Sequence, residues 1–301
     1  MQVKANGIDI EVETFGDKAN PTIIFVMGFG AQLTGWPVEM MEGLVDRGFH
    51  VVRFDNRDVG LSQKFPELGQ PNAGDVMAKM VAGETPDVPY TLTDMAADAV
   101  GVLDALGIDK AHIVGGSMGG MIVQLAAAGW PERFHSMTSV FSTTGNQELP
   151  PSTDEALAAL LSRPKNEERD TVVAHQMKVR KVIGSPGYPT PEDEARRRAE
   201  ETFDRSYYPE GTTRQYAAII ADGDRRARIK SISCPVLVLH GVGDPLVRVE
   251  GGRDTAANIP GARLVEIEGW GHDLPAQLVP QLVDEIAAHC SAAGSKAAAA
   301  E

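Results

Sequence analysis

The sequence is poor in several things, and each shortage excludes a class. It has two cysteines, Cys234 and Cys290, in 301 residues. That is too few for a disulfide framework, and their spacing is not that of a metal site. There is no run of about eighteen consecutive apolar residues, the length a membrane-spanning helix needs. Basic charge is scarce: 28 Lys+Arg face 42 Asp+Glu, a net charge of −14. A field of that sign repels phosphate backbones, so no nucleic-acid partner is expected. The densest basic stretches, Arg196-Arg197-Arg198 and Arg225-Arg226-Ala227-Arg228, are flanked by acidic residues and read as solvated helix faces or caps. The opening residues, MQVKANGIDIEVETFG, hold no apolar segment like that of an export signal, so a cytoplasmic chain is expected. What remains is 43% apolar and 23% charged, an ordinary composition for a water-soluble globular protein of one large or two modest domains.

Short apolar, β-branched runs recur along the chain, each followed by turn residues and then a helical pattern. They are Thr22–Met27, His50–Phe54, Ala111–Val114, Ser136–Phe141, Pro235–Leu239 and Ala262–Ile267. Runs apolar on both faces suit strands of a parallel sheet covered by helices on each side. Between them Leu92–Leu106 has helical spacing, with Thr93 and Asp94 as caps, and Gln281–His289 repeats the pattern. The alternation predicts an α/β fold built on a mostly parallel, doubly wound sheet.

One long interruption breaks the alternation. From about residue 144 to 229 no strand pattern occurs. Helical stretches at Asp154–Leu161, Glu167–Val182, Glu192–Tyr207 and Thr212–Asp222 are separated by turns such as Gly184-Ser185-Pro186-Gly187. A segment that long needs structure of its own. The prediction is a core of residues 1–143 and 230–290 with a helical cap at 144–229. Gln63–Pro89 is expected to be a second, looser excursion, and residues 291–301 a flexible Ala-rich tail.

The chemistry centres on Val114-Gly115-Gly116-Ser117-Met118-Gly119-Gly120, a G-x-S-x-G pattern between a strand and a helix. A sharp strand-to-helix turn forces its central residue into a strained conformation, and glycines at the flanking positions let neighbouring backbones approach. The competing reading is a glycine-rich turn with a capping serine. A serine hydroxyl is a poor nucleophile and needs a base. Of seven histidines, His50 and His112 lie in or beside strands, His135 follows a turn, His175 is in the insertion and His289 is on the last helix. His240 ends a strand and reads as structural. His272, in Gly269-Trp270-Gly271-His272-Asp273, lies after the last strand and before the last helix, at the carboxyl edge where open α/β sheets bind ligands. An imidazole base needs a carboxylate to fix its tautomer and stabilise its cation. Asp244 follows the strand Pro235–Leu239 and reaches the same edge. Asp273 is read as a helix cap, and Asp222 and Asp224 precede the strand, at the wrong end.

Attack on a carbonyl creates an oxyanion that needs aimed donors. The backbone N–H of Met118 follows the nucleophile. A second is expected from Met27-Gly28-Phe29-Gly30, where Gly28 lets the chain turn so that the Phe29 N–H faces the pocket. A dinucleotide fingerprint is rejected there because Leu33 stands where its third glycine belongs. Trp36, Trp270 and Met118 either line an acyl pocket or pack in the core. Met177, Val179 and Ile219 of the insertion are further pocket candidates. Asp55–Ser62 either braces its loop, with Arg57 in an ion pair, or meets substrate.

Together the elbow, the chain order Ser117…Asp244…His272, the Met27-Gly28-Phe29 loop and Asp55–Ser62 resemble the α/β-hydrolase superfamily over nearly the whole chain. Val26-Met27-Gly28, Gly35-Trp36-Pro37 and Arg57-Asp58-x-Gly60-x-Ser62 are similar to aclacinomycin methylesterase-like bacterial hydrolases. The resemblance implies a sheet of about eight strands, with Ser117, Asp244 and His272 as catalytic triad and Phe29 and Met118 as oxyanion hole. Many superfamily members carry His where this chain has Met27, and a bulkier residue where it has Gly116. Gly116-Ser117 also resembles prolyl aminopeptidases, which have Trp where this chain has Met118. The reading is a serine carboxylic-ester hydrolase acting on a small-molecule hydrophobic ester, with neither metal nor organic cofactor. The alternatives are an aminopeptidase releasing N-terminal proline, which would turn Glu192 or Glu194 into the site, a C–C bond hydrolase, and a slow-turnover ligand sensor. Oligomeric state is not encoded in any feature of the sequence.

Overall fold

The structure, a computed structural model, describes residues 1–298. In chain order the elements are β1 (Gln2–Ala5), β2 (Ile8–Phe15), β3 (Thr22–Val26), α1 (Val38–Val45), β4 (His50–Phe54), α2 (Ala73–Val81), α3 (Leu92–Leu106), β5 (Ala111–Gly116), α4 (Met118–Gly129) and β6 (Phe134–Val140). A helical stretch follows: α5 (Asp154–Leu161), α6 (Arg169–Ile183), α7 (Glu192–Arg205), α8 (Glu210–Asp222) and α9 (Arg226–Ile229). The chain then returns to the sheet with β7 (Val236–Gly241), α10 (Val249–Asn258), β8 (Arg263–Ile267) and α11 (Val279–Ala298).

Eight strands form one sheet in the order β1-β2-β4-β3-β5-β6-β7-β8. From β4 onward every pairing is parallel, whereas β1–β2 and β2–β4 are antiparallel. Every residue of β3, β4, β5 and β7 is buried, because helices cover both faces. One apolar core holds Ile24, Ile113 and Val238 against α3 and α4; the other holds Phe25, Val114 and Leu239 against α1 and α11. The period of two along each strand sends successive side chains to opposite cores. Among the described residues no helix is long and apolar enough to cross a membrane.

Several sequence expectations shift. The N-terminal hairpin went unread, although its signals are present. Ile8, Ile10 and Val12 alternate with acidic residues, and Asn6-Gly7 supplies two positive-φ positions, 49° and 80°, as a two-residue hairpin turn requires. Helix α3 is capped by Thr91, not Thr93: its hydroxyl accepts from the Asp94 N–H, and Asp94 returns a bond to the Thr91 N–H, a reciprocal capping box. The excursion at 63–89 contains α2. Arg225 is not on a solvated face. It is 1% exposed, donating to Gln124, to the Thr143 carbonyl and to Asp222. The last helix continues through Ser291 to Ala298, so the stretch read as a tail is helical that far; residues 299–301 lie outside those described.

Candidate active site

Ser117 sits between the end of β5 and the start of α4 with φ 56°, a left-handed conformation that costs a non-glycine residue of order 1–3 kcal/mol. The surroundings enforce it. The Ser117 N–H donates to the Val140 carbonyl at 2.9 Å, and its own carbonyl accepts from Ser142 Oγ at 2.7 Å. Side chains at the flanking glycines would collide with backbone. A Cβ on Gly115 would lie 2.2 Å from the Gly119 carbonyl oxygen, and one on Gly119 would lie 2.1 Å from that of Val26. The hydroxyl is thereby held above the carboxyl edge of the sheet.

His272 and Asp244 arrive from the loops after β8 and β7. His272 Nδ1 donates to Asp244 Oδ2 at 2.7 Å, which leaves Nε2 as an acceptor 3.0 Å from Ser117 Oγ. Asp244 is 1% exposed, and its second oxygen accepts from the Leu246 and Val247 N–H groups at 2.8 and 2.9 Å. These bonds compensate the burial of a carboxylate. The Phe141 ring centre lies 4.7 Å from that of His272 and helps wall the imidazole. His240 is interior: Nε2 donates to the Val247 carbonyl at 2.8 Å, and burial holds its imidazole below its ordinary value, against the pull of Asp244.

The histidine loop is fastened to the end of α6. The His272 N–H donates to the Ile183 carbonyl at 2.8 Å, and the Gly271 N–H to Ser185 Oγ at 2.9 Å. The Ser185 hydroxyl in turn donates to Asp273. Asp273 is thus not a helix cap but a tie between this loop and the helical segment; burial raises its carboxyl while Ser185 opposes the rise.

The loop after β3 lies against the serine: a Cβ on Gly28 would sit 3.1 Å from Ser117 Cβ. The N–H groups of Phe29 and Met118 have no protein acceptor among the described residues. Asn56 donates to the Met27 carbonyl at 2.7 Å, and the Gly30 N–H donates to Gln215 Oε1 at 2.8 Å. Gln215, on α8 and wholly buried, also donates to the Arg57 carbonyl at 2.9 Å. Asp55 accepts from the Leu33 and Leu61 N–H groups and from Arg205 of α7, each at 2.7 Å. Burial raises the Asp55 carboxyl, and its donors oppose that. Arg57 is ion-paired with Asp98 at 2.6 Å, and Asp58 with Arg214 at 2.7 Å, all four buried. The Asp55–Ser62 segment therefore braces the loop and joins it to α7 and α8.

A cavity of about 1180 Å³ opens onto Ser117 and His272, bounded by the glycine loop on one side and α6 and α7 on the other. Met177 and Val179 line it; a smaller cavity of about 360 Å³ shares Ser117 and Phe29 and is lined by Met118, Met121, Tyr216 and Ile219. Trp36 and Trp270 line neither. Both are fully buried beneath the site, edge-on to Phe25 and Phe141 respectively. Among the described residues no cluster of His, Cys, Asp or Glu could hold a metal ion. Sequence reasoning missed Gln215, Arg205 and Ser185; Asp55 falls in the segment already read as bracing its loop or meeting substrate. All three missed residues come from the helical segment, and no local spacing links them to partners that lie 86, 150 and 185 residues away.

Residues 21–277 match the family model described as the alpha/beta hydrolase fold. The chain belongs to that family. Its resemblance to methylesterase-like hydrolases extends to curated proteins. It is 28% identical to rhodomycin D methylesterase of Streptomyces peucetius, over 93% of this chain and 94% of that one. It is 26% identical to 3-oxoadipate enol-lactonase 2 of Acinetobacter baylyi, over 88% and 86%. In fold it is similar to the crystal structure of the enol-lactonase from Burkholderia xenovorans, with a TM-score of 0.71 at 23% identity over 97% of this chain and 100% of that one.

Proposed function

We propose that this α/β-hydrolase is a serine carboxylic-ester hydrolase working through an acyl-enzyme. The observation that carries the reading is the chain of two hydrogen bonds from Asp244 through His272 to Ser117 Oγ, 2.7 and 3.0 Å long. Ser117 Oγ attacks the ester carbonyl while His272 Nε2 takes its proton, and Asp244 stabilises the imidazolium. The carbonyl oxygen becomes an anion facing the Phe29 and Met118 N–H groups, each such donor contributing about 3–4 kcal/mol to barrier lowering. The C–O bond to the alcohol then breaks, and Nε2 returns the proton to the departing oxygen. Water, deprotonated by the same nitrogen, attacks the acyl carbon. Nε2 returns that proton to Oγ as the C–Oγ bond breaks, and the acid leaves.

The methylesterase and enol-lactonase relatives support an ester bond as the target. A C–C hydrolase is the second reading, because the chain is also 26% identical to a 2-hydroxy-6-oxononadienedioate/2-hydroxy-6-oxononatrienedioate hydrolase of Burkholderia vietnamiensis, over 84% of this chain and 81% of that one. The aminopeptidase reading has less support: Glu194 is taken up by Arg198, and Glu192 is an exposed residue at the cavity wall. Residues 144–229 would act as a cap that closes the substrate cavity. The deciding assay compares p-nitrophenyl esters, a vinylogous 1,5-diketone and proline p-nitroanilide. Turnover of the esters alone supports the proposal. Turnover of either other substrate at a higher kcat/KM overturns it.

A further inference from the structure

Resting on the ester-hydrolase reading, we propose that the large cavity contains an anion subsite formed by Arg180 and Gln176, and that the preferred esters carry an ionised carboxylate away from the scissile carbonyl. Both residues lie on α6, four apart and hence on one face of the helix. Both line the cavity that holds Ser117 and His272. The Arg180 side chain is half-buried and makes no hydrogen bond or ion pair among the described residues. Most other arginines around the site have a partner: Arg198 pairs with Glu194, Arg205 with Asp55 and Arg214 with Asp58. Gln176 Oε1 is likewise buried without a partner. A half-buried guanidinium that meets no protein group is costly, and an anionic ligand that satisfies it removes the cost.

Charge points to the ligand's sign. In a chain of net −14, the cavity wall carries Lys178, Arg180, Lys181 and Arg198 against only Glu192 and Asp273. Burial, and then Arg198, hold the Arg180 guanidinium below its ordinary value, with Asp273 pulling the other way. Asp273 is already engaged by Ser185 and is not close enough to pair with Arg180. The planar fork of Arg180 matches a carboxylate in two-point contact. The Gln176 side-chain NH2, which has no acceptor among the described residues, is the amide's donor to the same group.

The test pairs monomethyl esters of dicarboxylic acids with methyl alkanoates of equal chain length, from four to eight carbons. In the wild type kcat/KM is expected to favour the charged ester at one or two lengths. In Arg180→Met the charged-to-neutral ratio falls about 10- to 100-fold, through KM, as loss of a hydrogen-bonded charge implies. Arg180→Lys, which keeps the charge but loses the fork, falls between them. A ratio near one at every length, or a ratio unchanged in Arg180→Met, overturns the subsite. Calorimetric binding of adipate to the wild type, compared with Gln176→Leu and Arg180→Met, separates this from the ester reading. Arg180-dependent adipate binding without turnover of any ester keeps the subsite and removes the esterase. Ester turnover with neither preference nor adipate binding does the reverse.

Discussion

The two halves of the site are built on different supports. The proposed nucleophile is fixed by the sheet: Ser117 hangs between β5 and α4, its backbone tied to Val140 and Ser142 within the core. The histidine loop and the glycine loop are held largely by the helical segment, through Ile183 and Ser185 on one side and Gln215 and Arg205 on the other. Strain can be stored at Ser117 because close-packed backbone over-determines its conformation. The proposed base, His272, and the Phe29 side of the proposed oxyanion hole depend on contacts between segments far apart in sequence. Helices that enclose the cavity therefore also set the geometry of its chemistry.

Breaking the sheet-held half should have the largest effect. Ser117→Ala is expected to lower kcat by at least about 10³-fold while the unfolding midpoint stays in place, measured by ester hydrolysis beside thermal denaturation. An active, folded variant would separate the serine from the reaction. In the helix-held half, Gln215→Leu strands the Gly30 N–H and the Arg57 carbonyl. It should lower kcat about tenfold with little change in KM, because the lost bond positions an oxyanion donor rather than binding substrate. A change confined to KM would place Gln215 in substrate binding instead. Ser185→Ala removes one hydrogen bond each from Gly271 and Asp273. Only the Gly271 bond holds the histidine loop directly, and at about 1 kcal/mol for that bond kcat should drop by about fivefold. An unchanged kcat would show that Ile183 alone holds the histidine loop.

The smallest effect on turnover is expected outside the site, where the contrast is sharpened because the change concerns the stability of the core and not the helices. His112, buried in β5 and hydrogen-bonded to Ser136 at 2.8 Å, has its imidazole pushed down to about 3 by burial and then by His135 and His289. Its folded value lies below its unfolded one. Between about pH 6.5 and pH 3 the unfolded chain therefore binds a proton that the folded chain refuses, and stability falls with falling pH at up to about 1.4 kcal/mol per pH unit. His50, His240 and His289 are lowered by burial in the same sense. Urea denaturation at pH 7, 6 and 5 should show this slope, and His112→Phe should reduce it. A slope unchanged in that variant would assign the acid sensitivity elsewhere.

Legibility in the sequence divides along the same line. The all-buried strands β3, β4, β5 and β7 announce themselves as continuous apolar runs, because helices on both faces leave no polar side. The elbow is equally local: two glycines, a serine and a strand–helix junction lie within five residues. The N-terminal hairpin was legible and overlooked, its alternation and Asn6-Gly7 turn being standard signals. The roles of Trp36 and Trp270 were not legible, because a large aromatic at a sheet edge suits either floor or wall, and only packing puts both beneath the cavity. Nor could spacing reveal Gln215 or Ser185. Their partners lie 185 and 86 residues away, and nothing in a helical pattern encodes which loop it will touch.

The central claim is that Ser117 becomes a nucleophile through His272. Labelling with a fluorophosphonate, followed by peptide mass analysis, tests it most directly. A single adduct is expected on the peptide containing Ser117, formed rapidly by the wild type and slowed at least about 10²-fold in His272→Ala. An adduct on another residue, or undiminished labelling of Ser117 without His272, would contradict it.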